Sequence, residues 1–332
     1  MQFPSLSAAA PLDFARAELE LRYDDLTQSG QIKLSSLHLV LGRVSFGKLW
    51  TRHPLFHTRR RGILPILTRL VLESDAVPVS FSAPVEGRGQ LELAHEPAAD
   101  GGVAALFMNS YGELWARPSR RAKWREVRTS QHDNGRDART SQHANGRDAR
   151  ASELRDPVAD SPPPELVRIG RAFGEHVFTR PFDPPNARRV LAFDVPGQPS
   201  VPPAQHRRLP AREALALPPG AELLDADFLP DEAPWVFGLV HTDANQHVNS
   251  LVYARLFEEA ALRRLSRHGL NSTLIGRRIE LTYRKPSFAG DRLYCHLRAY
   301  MRNHQPAAIG FLSDTPTPSD RVYCTFHLQF SA

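Results

Sequence analysis

In the last hundred residues the spacing of the apolar side chains changes from a helical period to a period of two. This change limits the possible folds more than any other feature of the sequence. Between residues 249 and 268 the apolar positions fall on one face of a helix, with charged residues largely on the other face. Apolar and polar residues then alternate over residues 279–283, 293–301 and 321–331, which is typical of β-strands with one buried face. The sequence therefore predicts an α+β fold in which a long helix is followed by antiparallel strands.

The same order is repeated, less clearly, in the N-terminal half. Residues 77–84 align without gaps with residues 279–286, apolar on apolar. Two stretches before them are apolar enough to form the covering helix or helices: residues 37–50 and 62–73. Candidate strands follow at residues 90–95, 103–108 and 113–117. We therefore expect one structural unit used twice, at residues 1–117 and 231–332.

A basic stretch and a proline-rich stretch separate the two predicted units. Residues 118–165 contain a tandem duplication, TSQHDNGRDAR followed by TSQHANGRDAR, whose polar composition is typical of a flexible linker. Ten Arg or Lys stand against four acidic residues between 117 and 150, but aromatic residues at a useful spacing are missing, so we predict no nucleic-acid partner. Residues 166–230 are expected to be an irregular connection, because proline disrupts long regular elements.

Length and composition exclude several classes of protein. With 332 residues, 41% of them hydrophobic, the chain can bury a core unaided. Its two cysteines, Cys295 and Cys324, supply no disulfide framework and no thiolate metal site, and we predict no metal and no cofactor. No apolar run approaches the ~18 residues of a membrane span. Since the N-terminus lacks a basic leader before an apolar stretch, we expect a cytoplasmic protein.

One segment, HTDANQHVNSLVY at residues 241–253, combines side chains that suit acyl chemistry. In an extended run Asp243, Asn245 and His247 would point to one side, and Asn249 would cap the following helix. Carboxylate, amide and imidazole groups can activate water, orient it and move protons, and the start of a helix can stabilise an oxyanion. These residue types are also common in turns and caps, so a purely structural role remains an alternative.

The motif DxNxHVN, followed by Tyr253 and Phe257-Glu258, resembles the signature of hotdog acyl thioesterases. It is most similar to the second unit of plant and bacterial acyl-ACP thioesterases. That resemblance implies a double hotdog fold, in which each unit is an antiparallel sheet wrapped around a long central helix. It also implies that Asp243, Asn245 and His247 form the catalytic set and that the acyl chain lies in an apolar tunnel beside the helix. Asn249, Tyr253 and Phe257 are the candidate substrate-binding residues, although aromatic residues at helical spacing are more often simply core.

The implied reaction is hydrolysis of an acyl-CoA or acyl carrier protein thioester. Plant members of the family have a Glu-Cys pair on the following strand, where this sequence has Pro286-Ser287. Asp243 is therefore expected to be the base or the nucleophile, with His247 polarising the carbonyl or moving the proton. The N-terminal unit has Thr, Ser and Gln at the positions of the motif, at Thr27, Ser29 and Gln31, so we expect one active site per chain.

Three other functions remain open on the sequence alone. The same fold could transfer the acyl group to an acceptor other than water, as a biosynthetic acyltransferase or chain-release enzyme. A hydratase or dehydratase is less favoured, because the spacing from His57 to Gly62 does not fit the HxxxG pattern of that group. A non-catalytic acyl-binding protein is the third alternative. Fused units already form the pair that single hotdog units make by dimerising, so we expect a monomer or a homodimer.

Overall fold

The computed structural model describes residues 3–4, 14–119, 165–210, 213–270, 273–318 and 321–331. Helical segments are α1 (His38–Val40), which continues into a π-helix (Leu41–Leu49), and α2 (Ser250–Arg267), together with short 3-10 turns at Tyr23–Asp25, Leu34–Ser36, Trp50–Arg52, Pro54–Arg61, Pro185–Ala187, Glu213–Leu215 and Leu239–His241. Strands are β1 (Phe14–Leu19), β2 (Leu64–Ser74), β3 (Val85–Pro97), β4 (Val103–Ala116), β5 (Val167–Thr179), β6 (Ala204–Gln205), β7 (Glu222–Leu223), β8 (Leu229–Pro230), β9 (Trp235–Val236), β10 (Ile275–Tyr283), β11 (Arg292–Arg302), β12 (Gln305–Ser313) and β13 (Val322–Ser331).

The long strands form one large sheet, and the strand order of one half is repeated in the other half from the centre outwards. From its centre the sheet runs β2-β5-β4-β3 in one direction and β10-β13-β12-β11 in the other. Neighbouring long strands pair antiparallel, and β2 pairs with β10 at the junction through Arg69–Glu73 and Arg278–Thr282. Each half therefore contributes four long strands in the same relative order.

Helix α2 packs its apolar face against the C-terminal half of the sheet. Tyr253, Phe257, Ala261 and Leu265 recur at helical spacing and are all buried. The ring of Phe257 stacks on that of Phe326 in β13, 4.0 Å between centroids. Burying a side chain of this size stabilises a fold by about 1.5–3 kcal/mol. The predicted helix and the three predicted strands of this half are confirmed.

In the N-terminal half the covering helical segment lies very close to its sheet because the strands carry glycine at the contact. A methyl group on Gly112 would lie 2.4 Å from the Val40 side chain, and one on Gly89 would lie 2.7 Å from Val44. Both distances are shorter than any ordinary carbon contact. The strand glycines are therefore required for this close approach.

Two predictions for the N-terminal half are wrong. Residues 62–73 do not form a covering helix, because most of them belong to strand β2, which pairs on both sides with β5 and β10. Residues 77–84 are the connection between β2 and β3, so the true counterpart of β10 is β2. The candidate strands 103–108 and 113–117 are parts of the single strand β4.

The expectation of irregular structure throughout residues 166–230 is wrong for β5, a strand of thirteen residues. Prolines flank this strand at Pro164 and Pro181 but are absent from it, which permits the ladder bonds. Much of the remaining connection is irregular, and part of it covers the outer face of the C-terminal half, where Leu217 and Phe228 pack near Tyr300. The tandem duplication lies outside the described residues. Within those residues, no helix is long and apolar enough to cross a membrane.

Candidate active site

A tight hairpin brings the motif together directly before α2. The Asp243 N–H donates to the carbonyl oxygen of His247 (3.0 Å), the Asn249 N–H donates to that of His241 (2.8 Å), and Gln246 at the tip has a φ of 63°. The predicted extended run is therefore wrong, because the chain reverses between Asp243 and His247. Asp243 and His247 thus face each other across the hairpin through this backbone hydrogen bond.

The Asp243 carboxylate is fixed in this turn by one of its two oxygens. Its Oδ1 accepts a hydrogen bond from the Asn245 N–H (2.8 Å). Asn245 and His247 are exposed, and Asp243 is half-buried. The ring of His247 packs edge-on against that of Phe288, 5.1 Å between centroids. A carboxylate and an imidazole thus lie at the opening of a helix, where backbone N–H groups create a positive potential.

The residues predicted to bind substrate lie at different depths along α2. Asn249 caps the helix, since its Oδ1 accepts a hydrogen bond from the Leu251 N–H (2.9 Å). Tyr253 is buried one turn further along, and Phe257 lies deeper, against the sheet. Asn249 therefore borders the hairpin that carries Asp243, whereas the two aromatic residues belong to the core beneath it.

Ser287 and Phe288, which follow β10, contact the hairpin. Neither residue was identified as functional from the sequence. The Ser287 carbonyl oxygen accepts a hydrogen bond from the Val248 N–H (2.8 Å), and its fully buried hydroxyl has no partner in regular hydrogen-bond geometry. Burial raises the pKa of the Tyr253 phenol to about 12, and the neighbouring Ser287 opposes that shift. Phe288 is exposed beside His247, and an exposed aromatic next to the motif is the signal that could have identified it.

Neither cysteine is available as a nucleophile at the hairpin. Cys295 and Cys324 are both unpaired and lie in the core between α2 and the sheet. Burial raises the pKa of both thiols, so both stay protonated at neutral pH. Within the described residues, no group of three His, Cys, Asp or Glu side chains could hold a metal ion.

The N-terminal half contains the same hairpin before its own helical segment. The Thr27 N–H donates to the Gln31 carbonyl oxygen (2.7 Å), the Gly30 N–H donates to that of Thr27 (3.0 Å), and the Lys33 N–H donates to that of Asp25 (2.9 Å). Each of these bonds has its counterpart in the C-terminal hairpin when the two loops are aligned without gaps. Gly30, with a φ of 75°, takes the place of Gln246 at the tip.

The aligned hairpins differ in the side chains that they present. Thr27, Ser29 and Gln31 occupy the positions of Asp243, Asn245 and His247. The hydroxyls of Thr27 and Ser29 bond to each other (3.0 Å), and the Thr27 hydroxyl also accepts from the Gln31 N–H (3.2 Å). The N-terminal turn is thus closed without a carboxylate and presents no imidazole.

Comparisons with known proteins agree with this geometry. Residues 245–302 match the family model of the Thioesterase superfamily. An acyl-ACP thioesterase from Bacteroides thetaiotaomicron has a similar structure, with a TM-score of 0.52, 13% identity, and coverage of 96% of this chain and 98% of that one. The chain has a hotdog fold. The resemblance to hotdog acyl-ACP thioesterases seen in the sequence is confirmed.

A second solved structure is also similar over nearly the whole chain. The 12:0-ACP thioesterase from Umbellularia californica has a TM-score of 0.50 and 10% identity, and the match covers 98% of this chain and 99% of that one. At such low sequence identity, the structural similarity establishes the hotdog fold but not the substrate. No curated protein sequence matches the chain at a significant level.

Proposed function

We propose that the protein is an acyl thioesterase of double hotdog architecture that hydrolyses an acyl-CoA or acyl carrier protein thioester. One active site per chain would lie in the C-terminal unit, residues 231–332, and the N-terminal half, residues 1–117 together with β5, would act structurally. The observation that carries the proposal is the pairing of Asp243 with His247 across the hairpin at the start of α2. The match of the adjoining residues to the Thioesterase superfamily supports it.

The proposed reaction uses the carboxylate and the imidazole in different roles. Asp243, held by its Oδ1, would take a proton from a water molecule through Oδ2 as that water attacks the thioester carbonyl carbon. The carbon–sulfur bond then breaks, and His247 would donate a proton to the departing thiolate. The proton taken up by Asp243 would then return to His247, which restores both side chains for the next turnover. Asn245 would orient the water or the carbonyl group, and N–H groups at the start of α2 would stabilise the oxyanion. The products are a free acid and a free thiol.

The substrate would bind along the central helix of the C-terminal unit. Asn249 borders the hairpin that carries Asp243, whereas Tyr253 and Phe257 are buried in the core and would contact the acyl group only after it enters the core. The exposure of Asn245 and His247 favours water as the acceptor, because transfer to another acceptor requires that water be excluded. Product masses distinguish the two reactions, since an acyltransferase would release an ester, amide or ketone instead of the free acid.

The N-terminal hairpin supplies the substitutions that test the proposal best. Asp243→Thr and His247→Gln place in the C-terminal hairpin the residues that the same backbone already carries at Thr27 and Gln31. Each variant is expected to fold normally and to lose about 10²–10⁴-fold in kcat, the usual contribution of a general acid or base. Thiol release from a panel of acyl-CoA and acyl-ACP thioesters measures the loss. The matched control is Thr27→Ala, which is expected to retain activity.

Other outcomes of the same panel decide between the alternatives. Unchanged thiol release by both C-terminal variants would contradict the assigned site. The panel includes enoyl and 3-hydroxyacyl thioesters, whose hydration or dehydration would indicate a hydratase. Binding of a long-chain acyl thioester without turnover would indicate an acyl-binding protein. Sedimentation of the full chain distinguishes a monomer from a homodimer.

A further inference from the structure

His241, two residues before the hairpin carboxylate, has no part in the proposed reaction, yet its side chain is fixed by a backbone hydrogen bond. Its Nδ1 accepts from the Gly238 N–H (2.9 Å), which closes the 3-10 turn Leu239–His241. The other two side chains of this turn, those of Leu239 and Val240, are 81% and 89% exposed, so they contribute little packing. The side chain of His241 therefore fixes this turn.

Two further contacts of His241 connect the turn to the hairpin and to α2. Its carbonyl oxygen accepts the Asn249 N–H at the far end of the hairpin (2.8 Å), and Asn249 caps α2. Its ring packs edge-on against that of Phe237, 5.8 Å between centroids, and Phe237 is buried and contacts Tyr253 on the helix. A displacement of His241 would therefore move the base of the hairpin that carries Asp243.

The N-terminal half forms the same turn with a carboxylate in place of the imidazole. Asp25, which the gap-free alignment of the hairpins pairs with His241, accepts the Arg22 N–H through its Oδ2 (2.7 Å). The carbonyl oxygen of Asp25 accepts the Lys33 N–H (2.9 Å), as that of His241 accepts the Asn249 N–H. Both copies therefore place a hydrogen-bond acceptor at this position, which is an aspartate in one half and a histidine in the half with the motif.

The two acceptors respond differently to protons. A backbone N–H can only donate, so Nδ1 of His241 carries no hydrogen and the hydrogen of the neutral ring is on Nε2. An imidazole that binds a second proton has hydrogen on both nitrogens and can no longer accept. Histidine is the side chain that changes its charge between about pH 8 and 5, whereas aspartate stays ionised down to about pH 4. Mild acid is therefore expected to break the bond at His241 and to leave the bond at Asp25.

We propose that His241 is a positioning residue of the thioesterase reaction, which holds the hairpin of Asp243 and His247 in place only while its ring is neutral. The proposal rests on the proposed function for the reaction itself. The titratable or charged groups on the elements around His241 are Asp243 and His247 in the hairpin, Tyr253 on α2, and Arg284, Lys285 and Asp291 after β10. Among them only His247 is a second histidine. In the proposed reaction His247 is the acid, so its loss of a proton limits turnover at high pH and not at low pH.

Three substitutions test the role of the acceptor. His241→Ala removes it, His241→Asp supplies the acceptor that the N-terminal half uses, and Asp25→Ala is the matched control, since it removes the same bond in the half without the motif. At pH 8 we expect His241→Ala to lower kcat for decanoyl-CoA about 10–100-fold with KM within threefold, because a small displacement of reacting groups is costly. His241→Asp and Asp25→Ala should keep kcat within threefold of the parent protein.

The pH profile distinguishes this role from simple stabilisation of the turn. The kcat of the parent protein should fall as the pH drops below about 6.5, and His241→Asp should move this fall down by about one to two pH units. Circular dichroism at each pH checks that the proteins are folded. Unchanged kcat in His241→Ala, equal losses in His241→Ala and His241→Asp, or an identical pH profile in His241→Asp would overturn the proposal.

Nuclear magnetic resonance on the full chain separates failure of this inference from failure of the proposed function. If the protein hydrolyses no thioester, the proposed reaction is wrong, but the hydrogen bond can still be observed. Long-range proton–nitrogen correlation spectra should place the ring hydrogen of His241 on Nε2 at pH 8. Lowering the pH to 5.5 should shift the amide signals of Gly238 and Asn249 together, and His241→Asp should abolish this joint shift. A ring hydrogen on Nδ1 at pH 8, or amide signals that do not follow the protonation of His241, would refute the positioning of the hairpin by this residue.

Discussion

Two arginines and two glutamates join the halves of the sheet at the β2–β10 junction. The Arg69 guanidinium lies 2.6 Å from the Glu280 carboxylate, and Arg278 lies 2.7 Å from Glu73. The Glu280 side chain is only 4% exposed, and its second oxygen is 3.6 Å from Arg278 and has no hydrogen bond. Arg69→Met would leave this buried carboxylate without its nearer partner. Breaking a buried pair costs about 3–5 kcal/mol, and the remaining arginine reduces the expected loss to about 2–4 kcal/mol.

A double-mutant cycle separates the pair from the two individual side chains. Urea unfolding, followed by tryptophan fluorescence, gives the free energy of unfolding for Arg69→Met, Glu280→Gln and the double variant. Because neutralising Glu280 removes the uncompensated charge, the double variant should be less destabilised than the sum of the single variants, by about 1–2 kcal/mol. A loss below about 1 kcal/mol in Arg69→Met, or additivity within about 0.5 kcal/mol, would refute the assignment of this pair as a buried junction.

Two further predictions concern packing and protonation. Gly112→Val should lower the free energy of unfolding by about 1–3 kcal/mol, because its side chain would overlap Val40 in the covering helix, and an unchanged melting temperature would contradict the close approach. Burial lowers the pKa of His176 and of His327 from 6.5 to about 4. The folded protein therefore binds protons more weakly than the unfolded chain, so stability should fall as the pH drops from 6.5 towards 4. His327→Gln should flatten the dependence of the urea midpoint on pH, and an identical slope in that variant would exclude this histidine as a cause.

Most of the C-terminal half could be predicted from the sequence because its apolar residues follow a regular period. They alternate along β13 and form a helical stripe along α2. Strand β12 was not predicted, because it is buried at every position but the first and its sequence does not alternate. Strand β2 could not be recognised in this way. Its sequence, LPILTRLVLES, is a nearly continuous apolar run without alternation, and a buried helix would show the same run.

The residues of the candidate site could be found from the sequence, but their geometry could not. The turn between Asp243 and His247 requires a positive φ at Gln246, and glutamine gives no sign of such a conformation. The N-terminal copy carries Gly30 at the same position, where glycine is the ordinary signal for a turn. Comparing the two copies position by position could have predicted the hairpin in both halves.

The duplicated hairpin also bears on the structural alternative for the motif. Asp243 closes its turn through a hydrogen bond from the backbone, which is a common structural use of aspartate. The N-terminal copy forms the same backbone bonds with Thr27 and Gln31, so neither a carboxylate nor an imidazole is needed for this turn. A structural role for Asp243 predicts that Asp243→Thr lowers the melting temperature. A catalytic role predicts that the melting temperature stays the same and thiol release is lost, and measuring both quantities on one preparation decides between them.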